Sequence, residues 1–148
     1  MKRLAAGLLS AGLLAACSGI RPYPDVSPAN LVVRSELSGA RASLHVHRVK
    51  ADCSTEYHGT VPLDRSPVSI GLPAGRPSYL VFSFDSSSFL SGSRSTSVGT
   101  LLEPRAGYLY DAAVTYRDSL YNVTVRETDP RRHSTRELPR RALADCGR

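Results

Sequence analysis

Alternating apolar and polar residues dominate the chain from residue 31 onward, and helical periodicity is nearly absent. In residues 42–50, for example, Leu44 and Val46 fall on one face of a strand, while His45 and His47 fall on the other. Glycine, proline, aspartate and serine separate the alternating runs, as they do between short strands. We predict strands over residues 31–34, 42–50, 57–63, 67–72, 78–85, 96–103, 108–117 and 120–128.

Seven or eight short strands separated by turns are typical of an all-β protein, and we predict a single antiparallel β-sandwich over residues 30–130. Residues 78–85 form the most apolar run, so we expect them in a central strand. Asp118 and Ser119 form a two-residue turn that should join the last two strands as a hairpin. Residues 139–145 can form a short C-terminal helix, since proline is tolerated in the first turn of a helix.

The first 16 residues have the composition of an export signal. Lys2 and Arg3 precede an apolar run over residues 4–16, which ends in small residues. The run is 13 residues long, whereas a helix that spans a membrane needs about 20. We therefore predict a signal peptide over residues 1–16 rather than a transmembrane helix.

The end of this segment, Leu14-Ala15-Ala16-Cys17, resembles the lipobox of bacterial lipoproteins. The resemblance implies that the signal is removed before Cys17, that its sulfur carries a diacylglycerol, and that the new amino group is acylated. Several acyl chains hold a protein stably on a membrane. Because Ser18 stands where aspartate tends to retain enterobacterial lipoproteins in the inner membrane, we expect the outer membrane, facing the periplasm. The alternative is an ordinary secretory signal with an incidental cysteine.

Residues 17–29 would follow as the lipidated cysteine and its tether. They contain Pro22, Pro24 and Pro28 and few apolar side chains. An extended segment of this kind rises about 3.1 Å per residue, so it could hold the domain up to roughly 35 Å from the bilayer.

Positive charge is concentrated at the C-terminus. The whole chain has a formal net charge of +6, and residues 131–148 contain six arginines against Glu137 and Asp145. We expect a solvated, partly disordered terminus; the alternative is a basic surface that contacts anionic lipid headgroups, lipopolysaccharide phosphates or an acidic partner. Nucleic acid is not an expected partner for a protein of the periplasm.

Two cysteines remain once Cys17 is assigned to the lipid, namely Cys53 and Cys146. An even pair in an oxidising compartment favours a disulfide, which would tie the basic tail to an early hairpin. The alternative is a pair of free thiols, one of them a metal ligand.

Three histidines form a candidate metal site. His45 and His47 lie two residues apart on one strand, so they point to the same side. If Asp52 and Cys53 centre the following hairpin, His58 lies opposite His47, and three such imidazoles can bind zinc or copper. The alternative is a solvated sheet face, because a shift of one residue in the register would move His58 to the other face.

A second candidate is a contact surface for a partner protein. Residues 86–97 contain seven serines together with Arg94, and we predict a long polar loop there, because long loops are usually functional or mobile. Tyrosines on one face of the last predicted hairpin form either a contact surface or part of the core. They are Tyr108, Tyr110, Tyr116 and Tyr121.

The sequence carries no motif for catalysis or for a cofactor. No serine lies in a Gly-x-Ser-x-Gly or Ser-x-x-Lys arrangement, and the carboxylates are scattered, mostly at strand ends and turns. We therefore expect a protein that is not an enzyme and that needs no cofactor.

Residues 59–75, followed by an apolar strand, are similar to PEGA-like and transthyretin-like sandwich domains. In those domains a Leu-Pro-x-Gly turn precedes a strand, as Leu72-Pro73-Ala74-Gly75 does here. Taken together, the patterns favour a lipid-anchored cell-envelope lipoprotein that acts as a non-catalytic binding or assembly module with an envelope protein partner. The alternative is a metal-binding periplasmic lipoprotein that uses His45, His47 and His58.

Overall fold

A computed structural model describes residues 19–88 and 92–148, so the predicted signal peptide and Cys17 lie outside the described residues. Within this part of the chain, strands alternate with short turns, and a single 3-10 turn at Leu143–Asp145 is the one helical element. The nine strands are β1 (Leu31–Leu37), β2 (Ala40–Val49), β3 (Thr55–Pro62), β4 (Val68–Ile70), β5 (Ser78–Ser88), β6 (Gly92–Leu102), β7 (Leu109–Arg117), β8 (Leu120–Asp129) and β9 (Ser134–Leu138).

The strands form two sheets that pack on each other. One sheet has the order β4-β1-β7-β8-β9, and the other has the order β3-β2-β5-β6. Their inner faces share one hydrophobic core, in which Leu44 and Phe82 of the four-stranded sheet lie in the same cluster as Val33 and Val114 of the five-stranded sheet. The predicted all-β sandwich is therefore confirmed, and β5 is a central strand.

Two features of the sandwich differ from the prediction. It has nine strands in the described residues rather than seven or eight, and β1 pairs with β7 in parallel, from Leu31 opposite Tyr110 to Leu37 opposite Tyr116. Alternation of apolar residues fixes which face of a strand is buried, but it carries no information about the direction of the neighbouring strand. A parallel pair needs a long crossover connection, and here the strands β2–β6 supply it.

The C-terminal residues belong to the fold and extend it beyond the predicted boundary at residue 130. Strand β9 pairs antiparallel with β8, from Val125 opposite Leu138 to Asp129 opposite Ser134. The expected C-terminal helix is only the 3-10 turn. Beyond it, Cys146 forms the predicted disulfide with Cys53, which overturns the alternative of two free thiols.

We expect the Cys53→Ala/Cys146→Ala double variant to lower the free energy of unfolding by about 2–4 kcal/mol. The bridge closes a loop of 93 residues, so its loss leaves the unfolded chain more conformational freedom. Urea unfolding of the oxidised wild type and of the variant measures the difference in stability. Reducing the disulfide of the wild type should remove most of that difference. Equal stability of the oxidised wild type and the variant would contradict this expectation.

The proline-rich segment packs against the domain instead of forming a free tether. Thr60 in β3 donates its N–H to the carbonyl of Arg21 at 2.8 Å and accepts the N–H of Tyr23 at 2.9 Å. The Tyr23 hydroxyl donates to the carbonyl of Gly71 at 2.7 Å. The segment therefore covers the outer edge of β3. From Arg21 onward it is bound to the domain, so the predicted extended tether of roughly 35 Å is wrong for these residues.

Glycine at position 59 allows this close approach. A Cβ atom added there would lie 2.5 Å from the Cα of Tyr23. Gly71 has the same role further along, because a Cβ atom there would overlap the carbonyl of Val26.

We expect Gly59→Ala to destabilise the protein by about 1–3 kcal/mol, the usual cost of forcing an extra methyl group into a packed site. Thermal or urea unfolding measures the change. Gly19→Ala is the matched control, because a Cβ atom at Gly19 meets no atom within 4 Å. An unchanged stability of Gly59→Ala would show that residues 21–23 are not held as described.

The described part of the serine-rich stretch is strand rather than loop, and residues 89–91 of the predicted loop lie outside the described residues. Residues 86–88 end β5 and residues 92–97 begin β6, with Ser86 opposite Arg94 and Ser83 opposite Ser97. The hydroxyl side chains favour turns in isolation, but pairing along the apolar strand β5 overrides that preference.

Candidate functional site

The structure does not bring the three predicted metal ligands together. His47 lies opposite Tyr57, and the register shifts between Val46 and His47, which leaves His58 as the extra residue of a β-bulge. The His58 ring contacts Tyr23 instead, with ring centroids 5.5 Å apart. The predicted pairing of His47 with His58 is therefore wrong.

Of the two remaining histidines of that face, His45 is hydrogen-bonded within the protein, and the ring of His47 lies 5.6 Å from that of Tyr57. Both ring nitrogens of His45 lie near hydroxyl groups, Nδ1 at 2.7 Å from Thr60 Oγ1 and Nε2 at 3.2 Å from Ser43 Oγ. Burial, and then the proximity of His45, lower the pKa of His47, which keeps it neutral at physiological pH. Across residues 19–88 and 92–148, no group of three or more His, Cys, Asp or Glu side chains is placed to hold a metal ion.

The four tyrosines share one face, as expected, but that face is turned to the core. Tyr110 is 2% exposed and Tyr116 is 7% exposed, so neither belongs to a partner surface. Tyr121 is 40% exposed and stacks on Phe84 with centroids 5.3 Å apart. Tyr108 is half-buried and donates its hydroxyl to Asp129 at 3.1 Å. The predicted contact surface of four tyrosines is therefore wrong, and these side chains serve mainly to stabilise the fold.

A buried carboxylate organises the arginines at one end of the sandwich. Glu127 is 5% exposed and accepts from Arg105 Nε at 3.0 Å, Arg136 Nε at 2.9 Å and the Tyr110 hydroxyl at 3.0 Å. Burial raises the pKa of Glu127, but the hydrogen bonds from Arg105, Tyr110 and Arg136 outweigh burial and hold it below its usual 4.5. Glu127 is therefore charged and fully partnered at neutral pH, as expected of a structural ion pair.

We expect Glu127→Gln to lower the free energy of unfolding by about 1–3 kcal/mol, because the buried Tyr110 hydroxyl and the two arginines lose their charged acceptor. Since the folded state lowers the pKa of Glu127, the wild-type advantage should be complete above about pH 4.5 and lost as the pH falls through the folded pKa. Urea unfolding between pH 3 and pH 7 measures both effects.

Glu137→Gln is the control, because Glu137 forms only an exposed pair with Arg126 at 3.9 Å. Such pairs contribute about 0–1 kcal/mol. A Glu127→Gln variant no less stable than this control would refute the structural role of Glu127.

Other residues of the basic C-terminus are also engaged by the fold. Arg131 and Arg132 lie 3.9 and 3.8 Å from the carboxylate of Asp129. Arg141 accepts the N–H of Leu101 on its carbonyl at 2.9 Å and directs its guanidinium to the carbonyl of Asp145 at 3.1 Å. The predicted basic tail is thus largely built into the end of the sandwich.

A groove lies between the two sheets, on the side opposite the docked N-terminal segment. Its volume is about 340 Å³. Strand β6 forms one wall and strands β8 and β9 form the other, with Arg140 at the rim. The apolar side chains of the lining are Phe82, Val98, Leu101, Leu102, Val123, Val125, Leu138 and Pro139. The lining also contains Thr100, Asn122, Thr124 and Glu137, so this concave surface combines apolar and polar groups, as ligand sites do.

The outer edge of β6 runs along this groove. Leu101 sends its N–H away from β5, to the carbonyl of Arg141. Backbone groups alternate in direction along an antiparallel strand, so Ser93, Ser95, Ser97 and Gly99 also send their N–H and C=O groups outward. Among the described residues, no backbone partner pairs with these four. Arg94, predicted as a partner contact, lies on this exposed stretch.

Sequence reasoning missed the groove because its walls come together only through the order of the sheets. The predicted strands over residues 96–103 and 120–128 contain most of both walls, but residues 134–138 are predicted as tail, and no local pattern places these strands beside each other. The alternation of Val98, Thr100 and Leu102 against Ser97 and Gly99 was a local signal for β6, but no pattern in the sequence indicates that β6 is an edge strand.

Comparison with models of known protein families, with curated proteins and with solved structures found no match for this chain. In residues 19–88 and 92–148 there is also no helix of the length and hydropathy needed to cross a bilayer.

Proposed function

We propose that this protein is a lipid-anchored lipoprotein of the outer membrane, that it faces the periplasm, and that it acts without catalysis as a binding or assembly module. The observation that carries the anchor is the lipobox-like Leu14-Ala15-Ala16-Cys17 after a short apolar run. Acylation of Cys17 would place the sandwich at a membrane surface, where it works by contact with another envelope protein.

The disulfide supports the proposed compartment. Disulfides persist in oxidising environments such as the periplasm and are rare in the cytosol. Cys53 and Cys146 pair with each other, which leaves Cys17 as the one cysteine for lipid, since the chain has three.

The groove beside β6 supports a role in binding. A sandwich whose polar groups and charges serve mainly its own stability offers little for chemistry, whereas a groove with apolar side chains next to an open strand edge suits a macromolecular partner. The histidine arrangement gives no comparable support to a zinc or copper site, because His58 lies away from His45 and His47.

We expect Cys17→Ala to abolish processing of the precursor and to remove the protein from the membrane fraction, because the thioether bond to the lipid cannot form. Expression in a bacterium with two membranes, followed by fractionation and mass measurement, tests this. The Cys53→Ala/Cys146→Ala variant is the matched control, since it loses two cysteines but keeps the lipid site. A Cys17→Ala protein that is still cleaved and still sediments with membranes would refute the anchor.

A further inference from the structure

Three of the four edge strands of the sandwich are protected against pairing with another chain. Strand β3 is covered by residues 21–23, strand β4 has three residues, and strand β9 has five residues that include Arg136 and Glu137. Short length, charge and coverage are the usual ways in which proteins protect sheet edges.

Strand β6 differs: Arg141 pairs with its Leu101, but among the described residues no backbone segment covers it from Ser93 to Gly99. It has 11 residues, contains no proline, and carries one charged side chain, Arg94. The outward backbone groups of Ser93, Ser95, Ser97 and Gly99 form a regular row of donors and acceptors, and the small side chains let another backbone approach. An edge of this length and composition is suited to accept an additional strand.

The groove supplies specificity to such a strand. Successive side chains of a strand point to opposite sides, so a segment paired with β6 would direct every second side chain toward the groove. The lining there includes Val98 and Val123 on facing walls, together with polar groups such as Thr100. Its volume of about 340 Å³ lies within the range of ordinary ligand sites.

Charge indicates what the added strand carries at its ends. Arg94 lies near the start of β6, and Arg140 lines the groove beyond its other end. Glu137, the acidic residue in the lining, is paired with Arg126. A segment with acidic flanks would neutralise both arginines, whereas a second copy of this chain would bring its own Arg94 to an edge that is already basic.

We propose that β6 and the adjoining groove bind an extended segment of a partner protein by strand addition, with alternating apolar side chains in the groove and acidic residues at the segment's ends. The proposal rests on the binding role proposed above and specifies its surface and the chemistry of its partner. Main-chain hydrogen bonds along β6 contribute affinity, and the groove selects the side chains.

The test uses the purified full-length protein in detergent and a synthetic peptide in which valine and threonine alternate between terminal glutamates. We expect saturable binding by fluorescence anisotropy. A peptide of the same composition with its valines placed consecutively should bind at least about tenfold more weakly, because its apolar side chains no longer share one face. Hydrogen exchange should slow at Ser93, Ser95, Ser97 and Gly99 when the alternating peptide is bound.

Ser97→Pro tests the edge itself. Proline at this position removes an outward N–H and leaves the pairing of β6 with β5 in place. Edge strands tolerate proline where the N–H faces solvent. We expect binding to weaken at least about tenfold, whereas the matched control Ser97→Ala, which keeps the N–H, should bind as the wild type does. Val123→Trp enlarges a side chain on the groove wall formed by β8 and leaves the backbone edge of β6 unchanged. It should weaken binding similarly, and it tests the groove if Ser97→Pro fails to fold.

Charge reversal tests the flanks. Arg94→Glu combined with Arg140→Glu should weaken binding about three- to tenfold, and the loss should shrink at high salt because exposed charges are screened. Arg65→Glu is the control, because Arg65 is exposed in the connection between β3 and β4, on the opposite side of the sandwich.

Several results would overturn the proposal. They are the absence of peptide binding, binding that does not depend on the alternation, or binding that Ser97→Pro and Val123→Trp both leave intact. A wild-type dimer that Ser97→Pro dissociates would overturn it as well, since the occupant would then be a second copy. None of these measurements depends on Cys17, so a failure here and a failure of the lipid anchor are separate results.

Discussion

The backbone pairing of Arg21 and Tyr23 with Thr60 determines which surfaces of this sandwich remain available. It adds a short parallel segment to the outside of β3 and closes that edge. Glycine is needed at two positions under the N-terminal segment, because a Cβ atom at Gly59 would clash with Tyr23 and one at Gly71 would clash with Val26. With one flank closed in this way, the long unpaired edge of the four-stranded sheet lies on the other flank, beside the groove.

Charge in this protein serves mainly the fold. Arg105 and Arg136 converge on Glu127, and Arg131 and Arg132 lie beside Asp129. A run of arginines near a C-terminus suggests a free basic tail when it is seen as sequence alone. The structure instead distributes these side chains around two buried carboxylates of β8, because β9 folds back along that strand.

The parts of the fold that local patterns could predict are those set by neighbouring residues. The alternation around Leu44 and Val46 gave β2 correctly, and Asp118-Ser119 forms the expected tight turn, with φ of 51° and 64° and with Tyr116 opposite Tyr121. Cysteine counting also gave the disulfide. Each of these depends on short-range sterics or on a choice among very few partners.

The errors came from contacts between residues far apart in the chain. The bulge that displaces His58 lies beside Gly59, where a segment more than 30 residues earlier in the sequence packs closely. The serines of β5 and β6 adopt strand because they pair with each other, not because serine favours it. The groove depends on the pairing of the serine-rich strands and on contacts between strands far apart in the chain. Alternation alone therefore could not predict the candidate site or its edge strand.

The docked N-terminal segment also limits how far the domain can stand from a bilayer. If Cys17 carries lipid, only four peptide units separate it from Arg21, whose carbonyl is already bonded to β3. Fully extended, those units span about 14 Å, less than half the clearance that a free proline-rich spacer would give. The β3 flank would then rest close to the lipid headgroups, and the open edge of β6 would look outward into the aqueous space, where a soluble or wall-bound protein can approach it.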